Sequence, residues 1–289
     1  MRYVLAALFF SLIASVAAAF GPLTEPQEGV EGALVLDIRG AEDFAAGHIP
    51  GAVNTPYANY RGPADNPGRV PALEDLQSML RAAGATTDQP ILVVHQGKNE
   101  TDFGSAARVY WTLKSAGFPQ LSVLNGGFDG WVVAGNAPSA QAITPTPSDV
   151  TLSWSDAWMI DADGVADVVA GNSDAVLLDA RPGEFFRGDA KHGAAAEAGT
   201  LAGALNIVHS TWFGSGTPRI EAPGEMISQI QTIAAENADT PLVSFCNTGH
   251  WAATNWFAAS ELAGVEGVKL YPESMVGWTG LGNAVVRGN

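Results

Sequence analysis

The sequence is poor in positive charge. Its 289 residues include 14 Lys and Arg against 30 Asp and Glu, which gives a formal net charge of −16 at pH 7. Such a chain is repelled by nucleic acid and by anionic membrane surfaces, and no basic stripe offsets that repulsion. We therefore expect no nucleic-acid partner, and we interpret the acidity as a source of solubility.

Cysteine is almost absent. Cys246 is the single cysteine, so an internal disulfide is excluded, and the clustered ligands of a structural zinc site are missing. The sequence offers no motif for a metal or an organic cofactor, and we expect neither. A lone cysteine is either a small buried hydrophobe or a working thiol, and composition alone favours the first.

Long hydrophobic runs are absent after residue 20. We therefore expect no membrane span in the mature chain. Residues 4–16, in contrast, are almost wholly apolar, follow Arg2 and precede three alanines, which is the pattern of a secretory signal peptide. The sequence predicts cleavage near Ala19 and export, most simply to a periplasm. An uncleaved membrane anchor is the alternative interpretation.

The chain contains two halves with the same plan. Residues 34–39 and 175–181 are both short apolar runs that end in Asp-x-Arg, with Asp37 and Asp179 at matching positions. A repeat this long indicates a duplicated domain and not a solenoid. Further pairs recur in the same order, namely residues 48–54 with 200–206, residues 90–94 with 241–245, and Gly130-Trp131 with Gly277-Trp278.

The repeat predicts a division of the chain into four parts. These are a signal peptide at residues 1–19, an N-terminal domain at 20–137, a proline-containing linker at 138–149 and a C-terminal domain at 150–289. Residues 150–154 are apolar enough to predict a strand that opens the second domain.

Helical patterns alternate with the apolar strands in each half. Helices are predicted over residues 72–83, 105–116, 226–235 and 251–263. This alternation favours an α/β fold of two tandem domains, each a mostly parallel sheet with helices on both faces. Functional groups in such sheets lie at the carboxyl ends of the strands, which is where Cys246 falls.

The sequence around Cys246 favours a working thiol. Cys246 ends an apolar strand and precedes a short loop with Gly249 and then a helix, whose unpaired N–H groups favour the thiolate and can form an anion-binding nest. Sulfurtransferases, phosphatases and reductases all use such a thiolate. Residues 247–254 contain no Arg or Lys to clamp a phosphate, which disfavours the phosphatase.

The ordered set of motifs, found twice, resembles the two-domain form of the rhodanese superfamily. In that family the N-terminal copy is catalytically silent and the C-terminal copy holds the cysteine. Here residues 95–98, His-Gln-Gly-Lys, occupy the equivalent loop of the first half and offer no thiol. The resemblance implies a sulfurtransferase, in which Cys246 takes the outer sulfur of thiosulfate or a related donor and passes it from a persulfide to cyanide or a thiol.

The resemblance also implies substrate-binding residues. Arg181 matches the family's substrate-binding arginine, although a structural ion pair with a carboxylate such as Glu184 is the alternative, and Arg187 is either a second basic contact or a surface ion pair. His250 is either a group that tunes the thiolate or shuttles a proton, or an exposed loop residue. We expect Asp37 and Asp179 to accept hydrogen bonds at the strand ends. The loop residues expected to surround the sulfur are Asn247, Thr248, Gly249, His250 and Trp251.

The donor and the acceptor are less determined than the sulfur chemistry. Asn247-Thr248-Gly249 is nearer to the small polar loop of relatives that use 3-mercaptopyruvate than to the basic loop of those that use thiosulfate. A 3-mercaptopyruvate sulfurtransferase is therefore the leading alternative. A persulfide carrier for a partner protein, whose identity the sequence does not give, is an alternative of another class.

Overall fold

The computed structural model describes residues 21–214 and 217–289. The predicted signal peptide at residues 1–19 lies outside these residues. Among the residues described, none of the helices combines the length and the apolar character needed to cross a membrane. Within the same ranges no group of three or more His, Cys, Asp or Glu side chains is placed to hold a metal ion.

The first domain is built on a sheet of five parallel strands. These are β1 (Leu23–Thr24), β2 (Leu34–Asp37), β3 (Val53–Asn54), β4 (Ile91–Val94) and β5 (Leu121–Leu124). Their spatial order is β1–β5–β4–β2–β3, so β4 lies at the centre.

The second domain repeats this arrangement with four parallel strands. These are β6 (Val176–Asp179), β7 (Leu205–Asn206), β8 (Leu242–Phe245) and β9 (Lys269–Leu270), in the order β7–β6–β8–β9. From β6 the chain adds β7 on one side and then β8 and β9 on the other, so the order of the strands reverses between β6 and β8. The crevice beyond the carboxyl ends of such strands is the usual ligand site of an open α/β sheet.

Nine helices accompany the two sheets in the described residues, five of them in the second domain. They are α1 (Ala41–Ala46), α2 (Leu73–Ala82), α3 (Glu100–Ser115), α4 (Gly127–Val133), α5 (Ala162–Val169), α6 (Gly183–Phe186), α7 (Gly224–Glu236), α8 (Trp251–Phe257) and α9 (Ser274–Gly280). The predicted α/β fold of two tandem domains is confirmed.

The predicted helices are all present, with shifted ends. Helix α3 begins five residues earlier than predicted because the Asn99 side chain accepts a hydrogen bond from the Asp102 amide and caps the helix. Helix α8 is followed directly by a π-turn at Ala258–Leu262, so the predicted segment 251–263 is helical but not a regular α-helix throughout.

The two domains share one hydrophobic core. Alternate residues of each strand point to opposite faces, and Leu36 of β2 and Leu178 of β6 both face this common core. The helices that follow the two central strands, α3 and α8, pack against each other inside it. Tyr110 of α3 meets Phe257 of α8 edge to face, with ring centroids 5.0 Å apart. Burying each such ring contributes about 2 kcal/mol, so the halves are not independent modules.

The strand predicted over residues 150–154 is wrong. This segment pairs with no strand of the second sheet, and it lies along α2 of the first domain instead. The Val150 carbonyl accepts a hydrogen bond from Arg81 at 2.7 Å, and the Leu152 amide donates to Gln77 at 2.9 Å. Side chains of α2 therefore satisfy the backbone groups that a neighbouring strand would have paired.

Candidate active site

Cys246 lies directly after β8, and a serine from another helix holds its loop. The Ser274 hydroxyl accepts hydrogen bonds from the amides of Cys246 (3.0 Å) and Gly249 (3.1 Å), and it donates to the Tyr271 carbonyl at 2.9 Å. The Met275 amide donates to the Cys246 carbonyl at 3.1 Å. The start of α9 therefore fixes both ends of the loop, and Cys246 itself is 1% exposed.

The loop presents a set of backbone N–H groups without protein acceptors. Among the described residues, no acceptor lies within hydrogen-bonding distance of the amides of five residues that follow Cys246. Buried N–H groups are almost always paired, so such a set indicates a site for a negatively charged atom. The five residues are Asn247, Thr248, His250, Trp251 and Ala252.

A cavity of about 300 Å³ opens beside the cysteine, and both domains form its wall. Four of the predicted loop residues line it, and the fifth, Gly249, lies behind it against Arg108. The residues that sequence reasoning missed are Arg61, Pro67 and Thr101 from the first domain and His192 from the long loop after α6. The cavity wall thus contains a cation, Arg61, although residues 247–254 have none, and no motif around Cys246 could reveal it.

These features can be compared with known proteins. The family model of the rhodanese-like domain matches residues 23–134 and again residues 163–281. The chain belongs to the rhodanese family. Its two copies of the rhodanese domain account for most of the described residues.

Curated relatives and a solved structure agree with this assignment. The chain is 29% identical over 184 residues to the SseB protein of Mycobacterium tuberculosis. This alignment covers 60% of this chain and 63% of SseB. It is 27% identical over 248 residues to the thiosulfate sulfurtransferase of Azotobacter vinelandii, covering 85% and 87% of the two chains. The fold matches SseA of Escherichia coli, a 3-mercaptopyruvate sulfurtransferase structure, with a TM-score of 0.71 at 21% identity over 88% of this chain and 98% of that one.

The two predicted arginines do not line the cavity. Arg181 is 1% exposed, and its guanidinium pairs with Asp179 at 2.6 Å and donates to the Gly199 carbonyl at 2.8 Å. Arg39 of the first rhodanese domain forms the same pair with Asp37, also at 2.6 Å. The recurrence in a domain without a thiol indicates a structural ion pair, and the hydrogen bonds predicted for both aspartates are present. Arg181 also donates to Asn247 Oδ1 of the cysteine loop at 3.5 Å, and its contact with substrate stays a prediction.

Arg187 lies on the surface in an ion pair. It forms an ion pair with Asp189 at 3.1 Å, and both side chains are at least half exposed. Such a surface pair is held weakly and contributes little to stability. Of the two readings that the sequence left open, the surface ion pair is the one that the structure supports.

His250 is held in a single neutral form. The Tyr57 hydroxyl donates to Nδ1 at 2.8 Å, and Nε2 donates to the Thr101 carbonyl at 2.6 Å, because a carbonyl can only accept. Burial, together with the nearby Arg61 charge, lowers the pKa of His250 to about 4. Both ring nitrogens are therefore engaged by the first rhodanese domain, which excludes a freely rotating proton shuttle. The neighbouring Trp251 stacks on His209 with centroids 4.7 Å apart.

Arg108 links the same two domains beneath the loop. It is fully buried on α3, and it donates to the carbonyls of Gly249 (3.2 Å) and Gly68 (2.7 Å). Burial, followed by repulsion from Arg61, lowers the pKa of Arg108 to about 9. A buried cation at the back of the loop adds to the positive potential at the cysteine.

The first domain places an internal anion against its own loop. The Asp102 carboxylate accepts hydrogen bonds from the amides of Gly97 and Lys98 and from His95 Nδ1. Burial opposes ionisation, but the His95 ring and these amides outweigh it and lower the pKa of Asp102 to about 2. His95 is the residue that follows β4, as Cys246 follows β8. The first copy therefore lacks the thiol, and a carboxylate of the chain itself already occupies two of its loop amides.

Acidification is expected to destabilise the protein before its carboxylates titrate. Burial lowers the pKa of His209, like that of His250, to about 4 in the folded chain, whereas an unfolded histidine titrates near 6.5. The unfolded chain thus takes up protons first as the pH falls below 6.5. We expect the free energy of unfolding to fall by about 2 kcal/mol per histidine between pH 7 and pH 5, measured by urea denaturation.

The variant His250→Gln provides the control for this pH effect. It is expected to be less stable at pH 7 because it loses hydrogen bonds, but its further loss between pH 7 and pH 5 is expected to be about half that of the unmodified protein. An equal loss in both proteins would contradict the assignment of the pH dependence to His250.

Proposed function

We propose that this chain is a sulfurtransferase that moves a sulfane sulfur from a donor such as thiosulfate to cyanide or a thiol through a persulfide on Cys246. The observation that carries the proposal is the set of unpaired loop amides around a single, nearly buried cysteine. These amides suit the negative terminal sulfur of a persulfide, which needs fixed donors in a site that excludes water.

The reaction we propose has two steps. The Cys246 thiolate attacks the outer sulfur of thiosulfate, the S–S bond of the donor breaks, and sulfite leaves with the bonding electron pair. Cyanide then attacks the outer sulfur of the persulfide, and thiocyanate leaves as the Cys246 thiolate is restored. Such a double displacement gives ping-pong kinetics.

Two alternatives share this site. A 3-mercaptopyruvate donor is supported by the small polar loop and by relatives of that name, including one of Escherichia coli at 24% identity. A persulfide carrier for a partner protein is less well supported, because Cys246 is 1% exposed beneath residues of the other domain. A cavity of this size admits small acceptors more readily than a partner's side chain.

The test is an assay with both donors. Purified protein is incubated with thiosulfate or 3-mercaptopyruvate in the presence of cyanide, and thiocyanate is measured; a phosphate monoester serves as the comparison substrate. We expect thiocyanate from thiosulfate and no phosphate release. A stable gain of one sulfur in the intact mass without turnover would favour the carrier. The absence of both thiocyanate and a sulfur adduct would refute sulfur transfer. The same mass spectrum tests the proposed export, since it shows whether residues 1–19 are removed.

A further inference from the structure

The cavity beside Cys246 is free of acidic residues in an otherwise acidic protein. The chain has 30 Asp and Glu, yet no carboxylate is among the described residues that line this cavity. Arg61 is the single charged side chain in that wall as the structure describes it. An acidic protein repels anions in general, so a local site for one must be built by excluding carboxylates and adding a cation.

Arg61 reaches the cavity from the first domain. It follows a 3₁₀ turn at Tyr57–Tyr60, and its guanidinium carbon lies 5.3 Å from the centre of the Tyr57 ring. The Nη1 atom is buried and has no hydrogen-bond partner, and Arg61 forms no ion pair with any carboxylate in the described ranges. A buried guanidinium nitrogen without a partner is costly, which points to an anion that would pair with it.

We propose that Arg61 binds the oxyanion end of the sulfur donor, so that the silent domain selects donors that carry a negative charge. This inference rests on the sulfurtransferase function proposed above. It divides the work between two groups that face one cavity: the loop amides bind the negative sulfur on Cys246, and Arg61 binds the anionic group that departs. For thiosulfate that group is the sulfonate end, which becomes sulfite when the S–S bond breaks, and for mercaptopyruvate it is the carboxylate.

The planar fork of arginine suits this task. Two parallel N–H groups can bind two oxygens of a sulfonate or a carboxylate at once, which a lysine ammonium cannot do. Charge-assisted hydrogen bonds of this kind change affinity by about 10- to 100-fold. Because negative charge builds on the sulfite as the S–S bond breaks, Arg61 also stabilises the leaving group.

The first experiment measures binding without chemistry. Thiosulfate is titrated into the Cys246→Ser protein and into the Cys246→Ser/Arg61→Gln protein by calorimetry. We expect the Kd for thiosulfate to rise by about 10- to 100-fold when Arg61 is neutralised, and Arg61→Lys to recover part of the loss. Arg287→Gln, which removes an equal charge from a side chain that is 73% exposed, is expected to leave the Kd unchanged.

The second experiment separates the donor from the acceptor in proteins that keep Cys246. With dithiothreitol as an uncharged acceptor, Arg61→Gln is expected to lower kcat/KM for thiosulfate by a similar factor and to leave kcat/KM for dithiothreitol within about twofold. Circular dichroism and the unfolding midpoint establish that the variant is folded.

The outcomes of the two experiments are distinguishable. An unchanged Kd in the folded Arg61→Gln variant, or an equal rise in Arg287→Gln, would overturn the anion site and leave sulfur transfer standing. If the Kd rises as expected but the protein that keeps Cys246 forms no persulfide and does not turn over, Arg61 remains an anion-binding residue and the sulfurtransferase proposal is overturned.

Discussion

Cys246→Ser is expected to lower thiocyanate formation from thiosulfate and cyanide by at least about 1,000-fold. Serine has nearly the same size, but its hydroxyl is not ionised near neutral pH and cannot carry sulfur as a persulfide. Cys246 is the chain's single cysteine, so no second thiol can replace it. The rate of thiocyanate formation, measured colorimetrically with excess cyanide, is the readout.

The fold of this variant should be preserved. The bonds that hold the loop use the backbone amide of Cys246 and the hydroxyl of Ser274, and neither depends on the sulfur atom. We therefore expect the unfolding midpoint to fall by only about 1 °C for each few tenths of a kcal/mol of packing that the smaller oxygen atom loses. A serine variant that keeps more than a few per cent of the activity would show that sulfur does not pass through this residue.

Gly249→Ala is expected to damage both stability and activity. Gly249 has a φ of +66°, and a methyl group there would clash with Arg108 Nη1 and with the carbonyl oxygen of Pro272. The strained φ and the overpacking together are expected to cost about 2–4 kcal/mol of unfolding free energy. Since the clash displaces the loop that carries Cys246, kcat/KM for thiosulfate should fall by at least about tenfold.

A matched glycine elsewhere isolates the cause. Gly264 has a φ of +67°, and nothing lies within 4 Å of the methyl group that Gly264→Ala would add. This variant is expected to cost about 1 kcal/mol through its backbone alone and to keep full activity. Urea denaturation and the thiocyanate assay measure the losses of stability and activity. Equal losses in the two variants would show that the close contacts of Gly249 with Arg108 and Pro272 are not their cause.

The strands and the cysteine could be predicted from sequence because their signals are local. Buried parallel strands are continuous apolar runs, and Cys246 is marked by the strand before it and the helix after it. The same locality explains the wrong strand at residues 150–154, whose apolar pattern is real. The partners of that segment are side chains of α2, some 70 residues earlier in the chain.

The rest of the candidate site depends on contacts between distant residues. Tyr57 and His250 are 193 positions apart, and Arg108 and Gly249 are 141 apart. No periodicity or motif within either half encodes such pairs. The placement of Arg181 illustrates a related point: the family pattern identified the residue, but its ion pair with Asp179 belongs to the strand end and is shared by both domains.

The carboxylate of Asp102 has a consequence for the whole catalytic cycle. It is a ligand that is covalently tethered to its own binding loop, so its effective concentration far exceeds that of any free anion, and no substrate or salt displaces it. In the proposed reaction the second loop, in contrast, accommodates a thiolate and then a persulfide in each turnover. The first domain therefore holds one shape while the second changes state. It offers Arg61, Pro67 and Thr101 as a cavity wall of constant geometry beside Cys246, where the sulfur changes in the proposed reaction.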